Sequence, residues 1–257
     1  MNNRYLILDC DGVIFDSLKL IDAEVQKIKY EASDAYLQKL IKDSKKLHDR
    51  LHDLEQERDD SSELRKIKSS ILKLSKLRLT HFDHKDLVLE EVLPEYKNRI
   101  DYSKIYTIDN VYPGVIELIK EIWNQGIYDK IFVNSQVNPD SEIEAKVNFF
   151  NEYLPMVQFV PVRFHLEPYF DLVTKKKNNN RKRSNKIECF KIMTGIEDLS
   201  NSSFIDDTSG VIEEAKKAGV GNCYYKTKDM DTNHLLRNAV VDTLYGAKGI
   251  KVLTKKD

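Results

Sequence analysis

The sequence predicts an α/β chain whose parallel-sheet core is interrupted near its start by a long all-helical insertion. Three observations predict this. Short apolar runs bounded by turn residues, such as Tyr5–Leu8, Lys130–Val133 and Ser203–Ile205, read as buried strands. Amphipathic stretches lie between them and stop at Gly126 and Gly219, both placed as helix-ending glycines. The stretch from Ser17 to about Arg58 holds neither Gly nor Pro and spaces its apolar residues by 3 and 4, a helical rhythm.

The core opens on Leu6-Ile-Leu-Asp9-Cys-Asp11-Gly12-Val-Ile-Phe-Asp16-Ser17. Asp9 and Asp11 follow the first apolar run two residues apart, a spacing that puts both on one face of a strand. Gly12 marks a turn there, so both carboxylates can enter one crevice beyond the strand's carboxyl end, where open α/β sheets take their ligands. Carboxylates this close repel unless a cation or a proton compensates them.

Composition narrows the classes. The chain has 257 residues, enough for a sizeable core plus an accessory domain, and a formal net charge of −1. No global field therefore points to nucleic acid or to a membrane. Cys10, Cys189 and Cys223 are odd in number and scattered, which reads as reduced thiols in a cytoplasmic protein. Asp9, Asp11 and Asp16 interrupt the N-terminal stretch, so neither a signal peptide nor a membrane span is expected.

Within the insertion, Ser17 reads as a helix N-cap. Ile21, Val25, Ile28, Ala32 and Ala35, then Leu40, Leu47 and Leu54, trace a seam of coiled-coil type. Arg58–Ser62 breaks it, and Asp60 with Glu63 forms a capping box for a second helix carrying Leu64, Ile67, Ile71 and Leu74. An antiparallel coiled-coil hairpin is expected, with a third helical piece over 85–96 interrupted at Pro94. Such a hairpin could meet a protein partner or a second copy of the chain. His48, His52, His81 and His84 lack the Cys or acid neighbours of a metal site and read as surface residues.

The core resumes at Val111-Tyr-Pro113-Gly114 and a helix to about Gln125. Next come the strand Lys130–Ser135, ending in a hydroxyl, a helix over Asp140–Tyr153 and a strand over Met156–Val160. The polar loop Lys175–Ser184 is strongly basic, so the segment 175–186 is either a solvated loop or a patch for a nucleic-acid end. Asn185 caps the following helix with Glu188 as its box partner, which makes Lys186 the first helical residue. A Lys there opposes the helix dipole, a misfit that a functional role would explain. Ser203–Gly219 is a strand ending in Asp206 and Asp207, then a Gly turn and a helix; a strand over Asn222–Tyr225 follows, and 230–257 reads as a helix and a polar tail.

The order and context of these stretches resemble the haloacid-dehalogenase (HAD) superfamily of phosphohydrolases, most specifically at the first and last of them. The resemblance implies a Rossmann-like core over 1–16 and 111–257, with a helical cap of the C1 type over 17–110. It implies Asp9 as nucleophile, Asp11 as general acid/base, Ser135 as the hydroxyl on the transferring phosphoryl group and Lys186 as its cation. Lys182 competes with Lys186, because the family's spacing varies at that point. Asn134, one position before Ser135 and facing the other side of the strand, and Gly12 are further phosphate-contacting candidates. Mg2+ is the implied cofactor, held by Asp9, Asp207 and the Asp11 carbonyl, with Asp206 either a further ligand or an orienting group. The implied reaction is hydrolysis of a phosphomonoester, whether a small metabolite, a nucleotide or a nucleic-acid end. The alternatives are a phosphotransferase such as a sugar-phosphate mutase, and a non-catalytic protein presenting the hairpin.

Overall fold

A computed structural model describes residues 3–56, 62–80, 93, 95–137, 139–163, 185–245 and 249–251. Contacts divide the chain into two units, residues 1–20 with 101–257 and residues 21–100.

The first unit is built on a parallel six-stranded sheet of order β3-β2-β1-β4-β5-β6. Its strands are β1 (Tyr5–Leu8), β2 (Lys130–Val137), β3 (Val157–Arg163), β4 (Ser203–Asp206), β5 (Asn222–Tyr225) and β6 (Gly249–Lys251). Helix α1 (Leu18–Gln56) begins in this unit, and α2 (Ser62–Thr80) belongs to the other. The remaining helices are α3 (Tyr102–Ile105), α4 (Val115–Asn124), α5 (Asp140–Tyr153), α6 (Lys186–Thr194), α7 (Ser209–Lys217) and α8 (Thr232–Tyr245). β1 is central and buried at every residue, which explains why its sequence is continuously apolar instead of alternating. On one face Ile7, Phe132 and Phe204 pack with Ile187 and Phe190 of α6 and Val211, Ile212 and Ala215 of α7. α4 and α8 pack on each other, with Val115, Ile119, Leu235 and Ala239 buried. Each Val, Leu, Ile or Phe side chain so removed from water contributes about 1.5–3 kcal/mol.

Several local expectations appear directly in the backbone. Gly126 and Gly219 both adopt positive φ just past α4 and α7. The Asn185 side chain accepts from the backbone N–H groups of Ile187 and Glu188, so Lys186 does open α6. β2 and β3 run longer than the apolar pattern suggests, through Val137 and Arg163. The helix expected within 230–257 is α8, and the polar tail expected after it is corrected: the segment Gly249–Lys251 pairs in parallel with β5 as an edge strand. Three residues held by backbone pairing leave no alternation to detect.

The insertion expected over 17–110 closes its own contacts over 21–100. Tyr102, Ile105 and Tyr106 are buried with the sheet unit, where the Tyr106 ring meets Phe15 edge-on with centroids 5.2 Å apart. In the helical unit the Arg50 guanidinium reaches Glu63 of α2 at 3.2 Å. Ile28, Ala32, Leu40 and Ile67 are buried. Ala35, expected in the seam, is exposed; at that turn Tyr36 and Leu37 are the half-buried residues. Small Ala offers little area to bury, and the larger neighbours take the stripe. The hairpin tip with Asp60, most of the third helical piece, His81 and His84 lie outside the described residues, as do Lys182 and the basic loop as far as Ser184.

Candidate active site

Among the described residues, Asp9, Asp11, Lys186, Asp206 and Asp207 gather at the carboxyl edge of the sheet. Asp9 follows β1, and its N–H donates to the Ile205 carbonyl at 2.9 Å, extending the β1–β4 ladder by one step. That step brings Asp9 beside Asp206, the last residue of β4, and Asp207 just after it. One carboxylate oxygen from each of Asp9, Asp206 and Asp207 lies within 4.8 Å of the others. Lys186 reaches in from the first turn of α6, with Nζ 2.7 Å from Asp9 Oδ1 and 2.7 Å from Asp206 Oδ2. The Asp9 Oδ1 also accepts from the Cys10 N–H at 2.7 Å, so this oxygen is fixed by two donors.

Burial is the largest influence on these groups. It works against the Lys186 ammonium, yet Asp9 and Asp206 outweigh it and hold that pKa up at about 12. One ammonium cannot neutralise two buried carboxylates. Burial, with Asp206 and Asp11 adding to it, therefore pushes Asp9 up to about 7 against the pull of Lys186. Asp206 moves up as well, and burial with Asp9 raises Asp207 to about 6. A trio of oxygen ligands with excess negative charge and raised proton affinity is suited to a hard divalent cation.

Asp11 belongs to a second group. Its Oδ1 accepts from the Ser17 hydroxyl at 2.5 Å and the Tyr106 hydroxyl at 2.9 Å, and its Oδ2 from Lys146 Nζ at 2.6 Å. Burial disfavours the Asp11 carboxylate, but Lys146 and these hydrogen bonds override it and hold its pKa below the ordinary value. Ser17, expected as a helix cap, stands just before α1 and spends its hydroxyl on Asp11. Ser135 is fully buried on β2 and accepts from Lys146 at 2.9 Å. Asn134 faces away from Ser135: its Nδ2 donates to the Lys186 carbonyl at 3.4 Å, behind the first turn of α6.

Gly12 joins the two groups sterically. Its φ is +74°, its N–H is already given to the Phe15 carbonyl, and a Cβ there would lie 2.1 Å from Asp207 Oδ2. The turn from Cys10 to Phe15 folds on itself through the Ile14 and Phe15 N–H bonds to the Cys10 carbonyl. Only a glycine lets that turn approach the Asp207 carboxylate so closely.

The sequence pattern did not reveal Lys146, Glu142 or Tyr106. Glu142 and Lys146 stand at i and i+4 on α5, an arrangement usually found on a solvated helix face.

A parallel doubly wound sheet thus carries the four resembling stretches on adjacent strands and neighbouring helix starts, with their polar residues at one edge. That placement is the one expected from the resemblance to the haloacid-dehalogenase superfamily. Solved HAD structures align along most of the chain at low identity. YfnB from Bacillus subtilis, a protein assigned as a HAD-hydrolase and solved bound to magnesium, is 12% identical, with 90% of each chain covered and a TM-score of 0.43. A HAD-superfamily hydrolase from Ehrlichia chaffeensis is 15% identical, covering 93% of this chain and 97% of its own, with a TM-score of 0.43. A Thermotoga maritima protein assigned as a β-phosphoglucomutase is 14% identical, with 95% and 99% covered and a TM-score of 0.39. No protein-family model and no curated protein matches the sequence. Asp9, Asp11, Ser135, Lys186, Asp206 and Asp207 stand around one edge of the sheet, while Asn134 backs the Lys186 helix. Cys10, Cys189 and Cys223 are free, and among the described residues no helix is long and apolar enough to cross a membrane.

Proposed function

We propose that the protein is a Mg2+-dependent phosphohydrolase working through an aspartyl-phosphate on Asp9. The observation that carries this is the tethering of Asp9: Oδ1 is held by Lys186 and the Cys10 N–H, leaving Oδ2 to attack phosphorus. The attack forms an Asp9–phosphorus bond and breaks the bond to the leaving oxygen; Asp11, ionised while Lys146 holds it, first takes a proton from solvent and then delivers it to that oxygen. Water then attacks the same phosphorus, Asp11 takes the water's proton, and Asp9 is released as carboxylate. Ser135 and Lys186 hold the phosphoryl oxygens in line and offset the repulsion between two anions. Asp9 and Asp207 are the carboxylates that would hold Mg2+; Asp206, with Oδ1 on the Thr208 N–H and Oδ2 on Lys186, is the orienting group. Bound Mg2+ supplies charge neutralisation between nucleophile and phosphoryl group. On this reading the helical unit, with its coiled-coil hairpin, is the accessory that selects the substrate, and the reduced thiols fit a cytoplasmic setting.

Phosphate release from p-nitrophenyl phosphate, measured with Mg2+ and with a chelator, tests the proposal. Metal-dependent turnover is expected. Its absence there and across a set of phosphorylated metabolites and phosphate-ended oligonucleotides would leave the scaffold reading instead.

The acid trio predicts an unusual pH dependence of stability. Asp9 at about 7 and Asp207 at about 6 both lie above the ordinary 3.8, so their neutral forms favour the folded state. That contribution is complete below about pH 4 and is lost as pH rises through 6 and 7. Metal-free protein should therefore melt at lower temperature at pH 8 than at pH 5, with Mg2+ restoring most of the difference at pH 8. In Asp207→Ala both the loss and the restoration should shrink. Equal Mg2+-induced stabilisation in wild type and variant counts against Asp207 as a ligand.

A further inference from the structure

We propose that Lys146 is a positioning residue that aims Ser135 and Asp11 together; the proposal rests on the phosphoryl-transfer reading above. Lys146 lies on α5 with its side chain fully buried. An ammonium has three N–H donors and no acceptor. Here they go to Asp11 Oδ2 at 2.6 Å, Glu142 Oε1 at 2.8 Å and Ser135 Oγ at 2.9 Å. The ring of Tyr106 lies against the same Nζ, 4.7 Å to its centroid. No N–H is left over, so Lys146 does not itself bind the phosphoryl group while this arrangement holds.

Its effect falls on the two groups it touches. A serine hydroxyl has one proton and two lone pairs. Lys146 occupies a lone pair of Ser135, so the Ser135 proton must point elsewhere, and it meets no acceptor among the described residues. A buried hydroxyl proton without an acceptor is costly, and a phosphoryl oxygen would satisfy it. At the same time Lys146 fixes one oxygen of Asp11, while Ser17 and Tyr106 fix the other. Glu142 gives the ammonium a second carboxylate, so the group carries one excess negative charge, and its Oε1 lies 3.3 Å from the Tyr106 hydroxyl, whose single proton serves the nearer Asp11 Oδ1. Labour is therefore divided between two lysines: Lys186 serves the acid trio, and Lys146 serves the hydroxyl and the acid/base. A purely structural ion pair needs only Glu142 and Asp11; the contact with Ser135 is what connects Lys146 to the reaction.

A double-mutant cycle tests this on the full-length protein with p-nitrophenyl phosphate. Lys146→Met should lower kcat by about 10- to 100-fold, as removal of an orienting partner does, with the half-activating Mg2+ concentration unchanged. In a Ser135→Ala background the same substitution should cost several-fold less, because part of its target is gone. If unpaired Asp11 and Glu142 prevent folding, the cycle is run with Lys146→Met/Glu142→Leu, which removes the uncompensated charge of Glu142. Additive losses in the two backgrounds, or a shifted Mg2+ requirement with kcat unchanged, would overturn the positioning role while leaving the phosphatase assignment in place. A wild-type protein that releases no phosphate from any phosphomonoester overturns both.

Discussion

Asp9→Asn is expected to abolish turnover, by at least about 10^4-fold in kcat, as loss of a catalytic nucleophile does. Asparagine keeps the shape and can still accept the Cys10 N–H, so the β1–β4 step beside it is preserved. It cannot form an acyl phosphate. The variant should also differ from wild type in stability, and in a direction that a merely damaged protein would not show. Burial holds the Asp9 pKa near 7, so at pH 8 the metal-free wild type carries an unfavourable buried charge that Asn lacks. Lys186 keeps Asp206 at 2.7 Å and so retains a partner. Melting of Asp9→Asn without metal should therefore equal or exceed wild type at pH 8, and its advantage should vanish at pH 5. Near wild-type phosphate release from the folded variant would remove Asp9 from the mechanism.

Gly12→Ala should damage both the site and the turn that builds it. Two effects combine. At φ +74° an L-residue costs roughly 1–2 kcal/mol, and the added Cβ would sit 2.1 Å from Asp207 Oδ2 and 2.7 Å from its Cγ. A short Asp side chain cannot evade this by swinging its far end; the carboxylate has to leave its place in the trio. The Mg2+ concentration for half activity should rise by about tenfold or more and kcat should fall with it, on the scale of a displaced ligand partner. The thermal midpoint should drop by several degrees, as about 1–2 kcal/mol implies for a domain of this size. Mg2+ titrations of phosphate release beside thermal melts decide it. An unchanged Mg2+ requirement in a destabilised protein would show that the glycine serves only the turn.

These two residues also show how the site reads from the chain. Asp9, Gly12, Asp206 and Asp207 stand at strand ends, where a short apolar run, a carboxylate and a turn residue follow one another within a few positions. Asn185 and Lys186 are legible for the same reason, since a cap and its helix start are neighbours in sequence. Ser135 and Asn134 are separable by strand alternation alone. The positive φ of Gly12 could be anticipated from the turn, but its contact with Asp207 could not, because the two are joined only through the β1–β4 pairing.

The sequence by itself determined the α/β class, most strand and helix starts in the core, the two Asp pairs, the capped Lys186 helix and the extent of α1. All rest on local rules: apolar periodicity, turn glycines and side-chain caps. Tertiary structure decided the rest. It turned Glu142 and Lys146 inward, where the same i,i+4 spacing on a solvated helix would make an ordinary surface pair. It drew Tyr106 into the sheet unit against Phe15, and moved the buried stripe of α1 off Ala35 and onto Tyr36 and Leu37. It added β6 by backbone pairing that leaves no side-chain pattern. Which face of a helix is buried depends on what packs against it, and a buried ammonium is affordable only where distant chain segments, here those carrying Asp11 and Ser135, bring the oxygens that satisfy it.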